Sequence, residues 1–336
     1  MVTMKYGYFG DTGLKLSRIV LGTQTFGWSV DEASAFEILD CYVERGGNYL
    51  DSADRYNNGA SESITGSWLK KRNARHQILL GTKVFFPTDN GPNDSGLSRT
   101  HIMSSVEKSL ERLQTDYIDL YQVHCYDRMT SMENVVYTMD LLVQQGKVRC
   151  YGVSNYTPSN IVRSIMHARH FGKIALSSVQ LEYSLLVRSP EWELLPVCKE
   201  ENLGVLAWSA LGGGWLTGKY RRDKAVPKDS RAGVGDRWDD NEEQRGGEHT
   251  YQIVDTLLEI SDRLGKPVSQ IAINWLLNKG DHIFPLIGAR AVAQLEDTLG
   301  AIDWSLSKED EEKLDNVSSI GMPSPYNFIE RYTRNS

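Results

Sequence analysis

Four short segments end predicted β-strands on reactive side chains: Asp51 and Tyr56 in YLDSADRY, Lys83 in ILLGTK and His124 in YIDLYQVH. A carboxylate, a phenol, an ammonium and an imidazole are the groups that a proton-donating site for carbonyl chemistry needs. A tyrosine phenol, with a reference pKa of about 10, is a poor acid unless a cation lies beside it. Lys83 can supply that charge, Asp51 can hold the lysine charged and in place, and His124 can donate a hydrogen bond that orients a substrate oxygen. Together they would deliver a proton to a carbonyl oxygen as hydride reaches its carbon. Singly, each residue has an ordinary explanation: a strand-end cap, a packed aromatic, a surface lysine, a satisfied core histidine. The ordered set is what points to chemistry.

The elements that must position these groups recur regularly. Apolar runs rich in β-branched and aromatic residues occupy 18–23, 49–53, 78–83, 117–124, 150–155, 177–183, 204–210 and 282–288. Segments of helical periodicity lie between them. In 31–46, Phe36, Leu39 and Val43 share a face, Ser29 and Glu32 have capping-box spacing, and Gly46–Gly47 stop the helix. Thr157–Pro158 reads as an N-cap with proline in the first turn, and Ile102, Val106, Leu110 and Leu113 form another stripe. Eight strands alternating with helices predict a parallel α/β fold. The polar strand endings Asp51, Lys83, His124, Ser154, Gln180 and Ser209 are 32, 41, 30, 26 and 29 residues apart. Each interval fits one unit of a (β/α)8 barrel, whose function sits at the carboxyl ends of its strands. The chain therefore reads as one domain, 1–336, in a closed barrel. Outside the repeat lie a hairpin at 5–17 closing the barrel floor and a polar, glycine-rich flap at 212–248. Extra helices are expected at about 249–280, and the sequence leaves open whether the proline- and aromatic-rich tail at 321–336 covers the mouth.

Composition excludes several classes. The 336 residues are 40% hydrophobic and 24% charged with a net charge of −7, and no basic run stands out, which argues against nucleic-acid or acidic-membrane partners. Four cysteines without a CxxC read as reduced thiols. The N-terminal segment lacks the apolar core of a signal peptide, and no stretch approaches a membrane span. The expectation is a cytoplasmic protein acting on a small molecule, compatible with a homo-oligomer.

Two patterns invite other readings. Gly213, Gly218 and Lys219 fit part of a phosphate-binding loop, but Tyr220 stands where Ser or Thr would hold magnesium, which argues against a nucleotide hydrolase. The same stretch fails GxGxxG spacing at Thr217, so a Rossmann reading has no support. His167 and His170 lack an evident third ligand, and no metal site is expected.

The motifs LGTQTFG (21–27), LDSADRYNNGASE (50–62), GTK (81–83), DYIDLYQVH (116–124), GKVRCYGVSN (146–155), QLEY (180–183), WSALGGGWLTGKY (208–220), PLIGAR and QLEDTLGA (285–301) run nearly the whole chain. In these the chain resembles the aldo-keto reductases, in the branch holding potassium-channel β subunits and bacterial aldehyde reductases. The resemblance implies a (β/α)8 barrel that binds NADPH/NADP+ without a Rossmann domain, with Asp51, Tyr56, Lys83 and His124 as the catalytic tetrad and Tyr56 the proton donor. Gly22, Thr23 and Asp51 would lie near the nicotinamide, with Ser154, Asn155 and Gln180 on its amide and Trp208 against its ring. Ser209, Ala210, Leu211, Gly212 and Lys219 would cradle the pyrophosphate, with Ser230 and Arg231 closing from the flap. Gly288, Arg290, Gln294 and Asp297 would hold the adenosine end, Arg290 pairing with the 2′-phosphate. Two positions depart from the family's pattern: Thr298, where the branch usually has asparagine facing adenine, and the GGGW of 212–215.

The implied activity is NADPH-dependent reduction of aldehydes or ketones, reversible on alcohols. The alternative is an NADPH-binding regulatory subunit with slow turnover, against which His124 counts. A carbonyl or alcohol substrate would meet Trp28, Tyr56, Phe85, His124 and Tyr126, amid loops around the mouth that also carry Phe26 and Phe86.

Overall fold

The computed structural model describes residues 4–222, 224–228, 230 and 245–333. All eight expected strands are present: β3 (Val20–Gly22), β4 (Tyr49–Asp51), β5 (Leu79–Val84), β6 (Ile118–Val123), β7 (Val148–Ser154), β8 (Ser178–Glu182), β9 (Gly204–Trp208) and β10 (Ile283–Ile287). Each pairs in parallel with the next, and β10 pairs with β3, so the sheet closes into a barrel. Closure leaves no strand edge open, and helices cover the outside, which is why these strands read as nearly unbroken apolar runs.

The connecting helices are α1 (Glu32–Glu44), α2 (Ala60–Arg72), α3 (Arg99–Leu113), α4 (Met132–Gln144), α5 (Pro158–His170) and α6 (Leu194–Glu200). Among the described residues, β9 is followed by two helices in place of one, α7 (Glu248–Leu264) and α8 (Val268–Asn278); α9 (Val292–Leu299) follows β10. The chain continues through α10 (Lys308–Val317) and α11 (Tyr326–Tyr332). Local chemistry sets several starts. Thr157 caps α5, accepting from the Asn160 backbone N–H with Pro158 in the first turn. In α3, Ile102, Val106, Leu110 and Leu113 are buried together. For α1 the expected Ser29 cap gives way to Asp31, whose carboxylate accepts from the Ser34 N–H at 2.8 Å. An aspartate at the N-terminus also suits the helix dipole, an advantage serine lacks.

The floor is a separate antiparallel pair, β1 (Tyr6–Tyr8) and β2 (Lys15–Ser17). Between them Phe9 and, from β2, Leu16 pack against Val20, Tyr49, Leu120, Leu206 and Phe284, apolar side chains from five barrel strands. Gly204 at the start of β9 lets the Phe9 ring in: a Cβ there would lie 2.4 Å from it. The lower barrel is thus sealed by hydrocarbon, and polar groups are left to the upper end.

Three expected features outside the repeat fare differently. The helices after 248 are present. Of the 212–248 flap, residues 223, 229 and 231–244, including Arg231, lie outside the described residues. None of the described tail residues lines the cavity: Tyr326 stacks on Trp192 and donates to Glu193 in the loop after β8, where an aromatic face and a carboxylate offer it partners.

Phe9 is 1% exposed and carries the floor contacts. Phe9→Ala should destabilise the protein by about 3 kcal/mol, the usual cost of an unfilled aromatic site, read from equilibrium urea unfolding. A loss under about 1 kcal/mol would mean that the hairpin is dispensable packing.

Candidate active site

Above the apolar floor the barrel interior becomes polar. Alternation along each strand sends Asp51 (β4), Lys83 (β5), Gln122 (β6) and Gln180 (β8) inward. Glycines on intervening positions make room. Gly81 is the partner of Asp51, and a Cβ there would fall 2.1 Å from the Tyr49 hydroxyl. Gly152 lies level with Gln122, and a Cβ there would collide with the Ser178 hydroxyl.

Lys83 is fully buried, and its three N–H donors find three acceptors: Asp51 Oδ2 at 2.5 Å, the Ser52 carbonyl at 2.8 Å and the Tyr56 hydroxyl at 3.3 Å. Burial opposes the charged amine, but Asp51 and then Tyr56 outweigh it and hold the lysine above its ordinary pKa. Asp51 is equally buried, and its other oxygen accepts from the side-chain amides of Gln122 at 2.9 Å and Gln180 at 3.1 Å. His124 stands at the end of β6 with its ring edge-on to Tyr56, the centroids 5.8 Å apart, and to Phe86 at 4.9 Å. Burial, reinforced by Lys83, pushes its pKa well below the ordinary histidine value, so the imidazole is neutral.

Tyr56 is delivered by an irregular turn. Asn57 and Asn58 both take left-handed backbone angles, φ 51° and 55°, which asparagine tolerates better than most residues. The Asn57 side-chain amide then donates to the carbonyls of Gln24 at 2.8 Å and Phe26 at 2.7 Å, tying the turn to the loop after β3.

These groups border a cavity of about 930 Å³ at the carboxyl ends of the strands. Asp51, Tyr56 and His124 line it, and Lys83 sits just beneath. Of the other expected residues, Gly22, Ser154, Asn155, Gln180, Trp208, Ser209, Ala210, Leu211, Lys219, Gly288, Arg290, Gln294 and Asp297 also line it, as does Thr298. Three residues lie elsewhere. Thr23 is buried, its hydroxyl within hydrogen-bond reach of the Asp51 carbonyl and the Ser61 hydroxyl. Gly212 is buried against Leu186, and the wall is formed instead by Gly213 and Gly214. Ser230 is described and buried but does not line the cavity.

Among the expected substrate contacts, Trp28 lines the cavity and is 51% exposed at its mouth. Phe85 and Tyr126 do not line it. Phe85 lies just past the last paired residue of β5, where alternation ends, and packs into the core, leaving Phe86 to face His124. Tyr126 stacks edge-on against Tyr156, centroids 5.2 Å apart. Sequence reasoning missed Gln24, Thr25 and the first turn of α8, Val268 and Ser269, which complete the wall. Tyr220 is buried against Trp215 and takes no part in the cavity. Among the described residues no three His, Cys, Asp or Glu side chains are grouped to hold a metal, and no helix is long and apolar enough to cross a membrane.

Comparison with known proteins gives this arrangement a context. Residues 18–319 match the model of the aldo/keto reductase family. The chain belongs to that family. It is 37% identical to an uncharacterised oxidoreductase of Bacillus subtilis, over 91% of this chain and 93% of the relative. It is 32% identical to a probable aryl-alcohol dehydrogenase of Saccharomyces cerevisiae, over 90% and 92% of the two chains. A probable voltage-gated potassium channel subunit beta of Arabidopsis thaliana is also 32% identical, over 89% and 92%. An aldo/keto reductase is an oxidoreductase, and the family generally uses nicotinamide cofactors.

The neutral His124 carries a pH consequence. Its folded pKa lies below the unfolded value of about 6.5, so on acidification the unfolded chain takes up a proton that the folded reductase refuses. The stability contributed by neutral His124 is present above about pH 6.5 and is lost as pH falls toward its folded pKa. His124→Gln should therefore lose less stability than wild type between about pH 7 and 5; His101 and His282, also lowered by burial, add slope of the same sign, and Asp54, raised by burial, adds slope of the opposite sign. Parallel acid limbs in urea midpoints would show that His124 is charged in the folded state.

Proposed function

We propose that this aldo/keto reductase reduces aldehydes or ketones with NADPH and oxidises the corresponding alcohols in reverse, with Tyr56 as proton donor. One observation carries the reading: the buried Lys83 ammonium lies 3.3 Å from the Tyr56 hydroxyl while Asp51 anchors it from the other side. That ammonium favours the negative charge that appears on the phenolic oxygen as its proton leaves.

The cavity suits a dinucleotide. Buried Trp208 Nε1 and His124 Nδ1 find no hydrogen-bond partner among the described residues. Gly214, at φ 97°, leaves the Lys219 ammonium room that a Cβ would fill, since the two would be 2.6 Å apart. Lys219 and Arg290, which both line the cavity, are the groups to meet phosphates. When bound, the nicotinamide supplies the hydride. Ser154, Asn155 and Gln180 would hold its carboxamide, and Trp208 would pack against its ring. Tyr56 gives its proton to the carbonyl oxygen. His124, whose Nδ1 has no acceptor among the described residues, carries its N–H on Nε2 and orients that oxygen by donating to it. Trp28 and Phe86 present flat apolar faces around this point, which fits a ring-bearing carbonyl compound and agrees with the name of the aryl-alcohol relative.

Likeness to a channel subunit favours a second reading, a regulatory protein that binds NADPH and turns over slowly. The two readings separate on one assay, NADPH oxidation with an activated aromatic aldehyde. Tyr56→Phe should cut kcat by about 10²–10⁴-fold and leave NADPH affinity nearly unchanged. Wild-type turnover in that variant would remove the proton-donor assignment, whereas tight NADPH binding without turnover in the wild-type protein would favour the regulatory role. Arg290→Ala should weaken NADPH by about tenfold or more and NADH much less, measured by fluorescence titration; equal losses would end its phosphate role.

A further inference from the structure

The barrel axis holds a polar layer that the four reactive residues do not exhaust. Gln122 projects from β6, level with Lys83 on one side and Gly152 on the other. It is fully buried. Its amide nitrogen donates to Asp51 Oδ1 at 2.9 Å, and its amide oxygen accepts from Gln180 Nε2 at 3.4 Å. Gln180 Nε2 also donates to Asp51 Oδ1, at 3.1 Å. The orientation of both amides follows from chemistry: a carboxylate only accepts, so each glutamine must turn its NH₂ group toward Asp51. Both hydrogens of Gln180 are then committed, and its carbonyl oxygen is left for the cavity that the residue lines.

We propose that Gln122 is a positioning residue for proton transfer: with Gln180 it draws the negative charge of Asp51 away from Lys83, so that more of the ammonium's field falls on Tyr56. This rests on the proton-donor reading above and goes one layer deeper. Lys83 alone would be pulled toward Asp51, the closest of its three acceptors. Amide hydrogen bonds to the opposite oxygen stabilise the carboxylate independently and weaken that pull. Gln180 makes the layer continuous with the cavity wall, so a ligand that engages its carbonyl oxygen acts on the same carboxylate.

The other titratable groups around Lys83 do not substitute for this effect. Tyr49 beneath Asp51 is held well above its ordinary range by burial and by Asp51, and stays neutral. Asp54, after β4, is likewise raised by burial and by Glu62 of α2, opposed by Arg112 of α3. His124 is neutral. Among the described residues around Lys83, Asp51 is therefore the ionised counter-charge nearest the ammonium that faces Tyr56.

The test is Gln122→Met, which keeps the length of the side chain and removes the donor. With Asp51 less satisfied, Lys83 is held more by the carboxylate and Tyr56 keeps its proton to higher pH. Reduction needs protonated Tyr56, so the alkaline limb of its kcat profile should move up by about half a pH unit or more. The same upward shift should appear without cofactor, in the Tyr56-dependent part of the tyrosinate absorbance titration, taken as the difference from matched Tyr56→Phe proteins. An unmoved or lowered limb, in a variant whose thermal unfolding stays cooperative, overturns the proposal. If Gln122→Met does not fold, Gln122→Asn, whose shortened amide withdraws the donor, takes the same two titrations. Tyr56→Phe retaining turnover would overturn both this proposal and the reading beneath it, so the two failures are distinguishable.

Discussion

Everything at the upper end of this barrel answers to one buried cation. An ammonium in a protein interior is costly unless each of its protons has an acceptor and a counter-charge lies at hand. Lys83 meets that demand with a carboxylate, a backbone carbonyl and a phenol. The three acceptors come from one stretch, residues 51–56, so the turn that follows β4 must fold around the lysine. The pairing that places β4 beside β5 is therefore also what assembles the chemistry, and removing either ion would strand the other in low dielectric.

The closed barrel divides labour along its axis. Phe9, Leu16 and the apolar side chains they meet fill the lower end, where burial is cheap and function is absent. One layer higher, Asp51, Gln122 and Gln180 replace hydrocarbon, and glycines at 81 and 152 make room beside them for the Tyr49 and Ser178 hydroxyls. Higher still, the walls carry the cations and the aromatic faces. Irregular backbone also marks this rim: Asn155 and Ser209, immediately beyond β7 and β9, both take positive φ, at 56° and 57°, and both line the cavity. Such conformations persist where the surroundings over-determine them, and here those surroundings are the strand ends themselves.

Much of this was legible in the chain. The eight strands announced themselves because a strand buried on both faces is a short apolar run, and the reactive residues stood out because each ended such a run. Helix periodicity was equally plain, although the start of α1 was misplaced by two residues, because Ser29 and Asp31 both carry capping chemistry and only the fold selects between them. What could not be read was parity. Phe85 and Phe86 are adjacent aromatics, and which one faces the cavity depends on where β5 stops pairing. Gln122 was hidden for a related reason: a single amide inside YIDLYQVH looks like an ordinary strand residue until β4 and β8 arrive beside it. Thr23 and Gly212 were placed by motif and displaced by geometry, one hydroxyl turning beneath the wall and one glycine lying behind its neighbours.

The Asn57 clamp has a meaning for how such a protein changes over evolutionary time. Loops at the mouth of a barrel are often treated as interchangeable parts, exchanged to suit a new ligand while the machinery below stays put. Here the loop after β3 is fastened by two hydrogen bonds to the residue next to Tyr56. A lineage that remodelled this loop would disturb the acid along with the wall, whereas the loops after β5 and β6 carry no such tether to residue 57 among the described residues. Innovation in ligand shape should accordingly accumulate on one side of the mouth, and the other side should drift slowly, held back by its neighbour's chemistry.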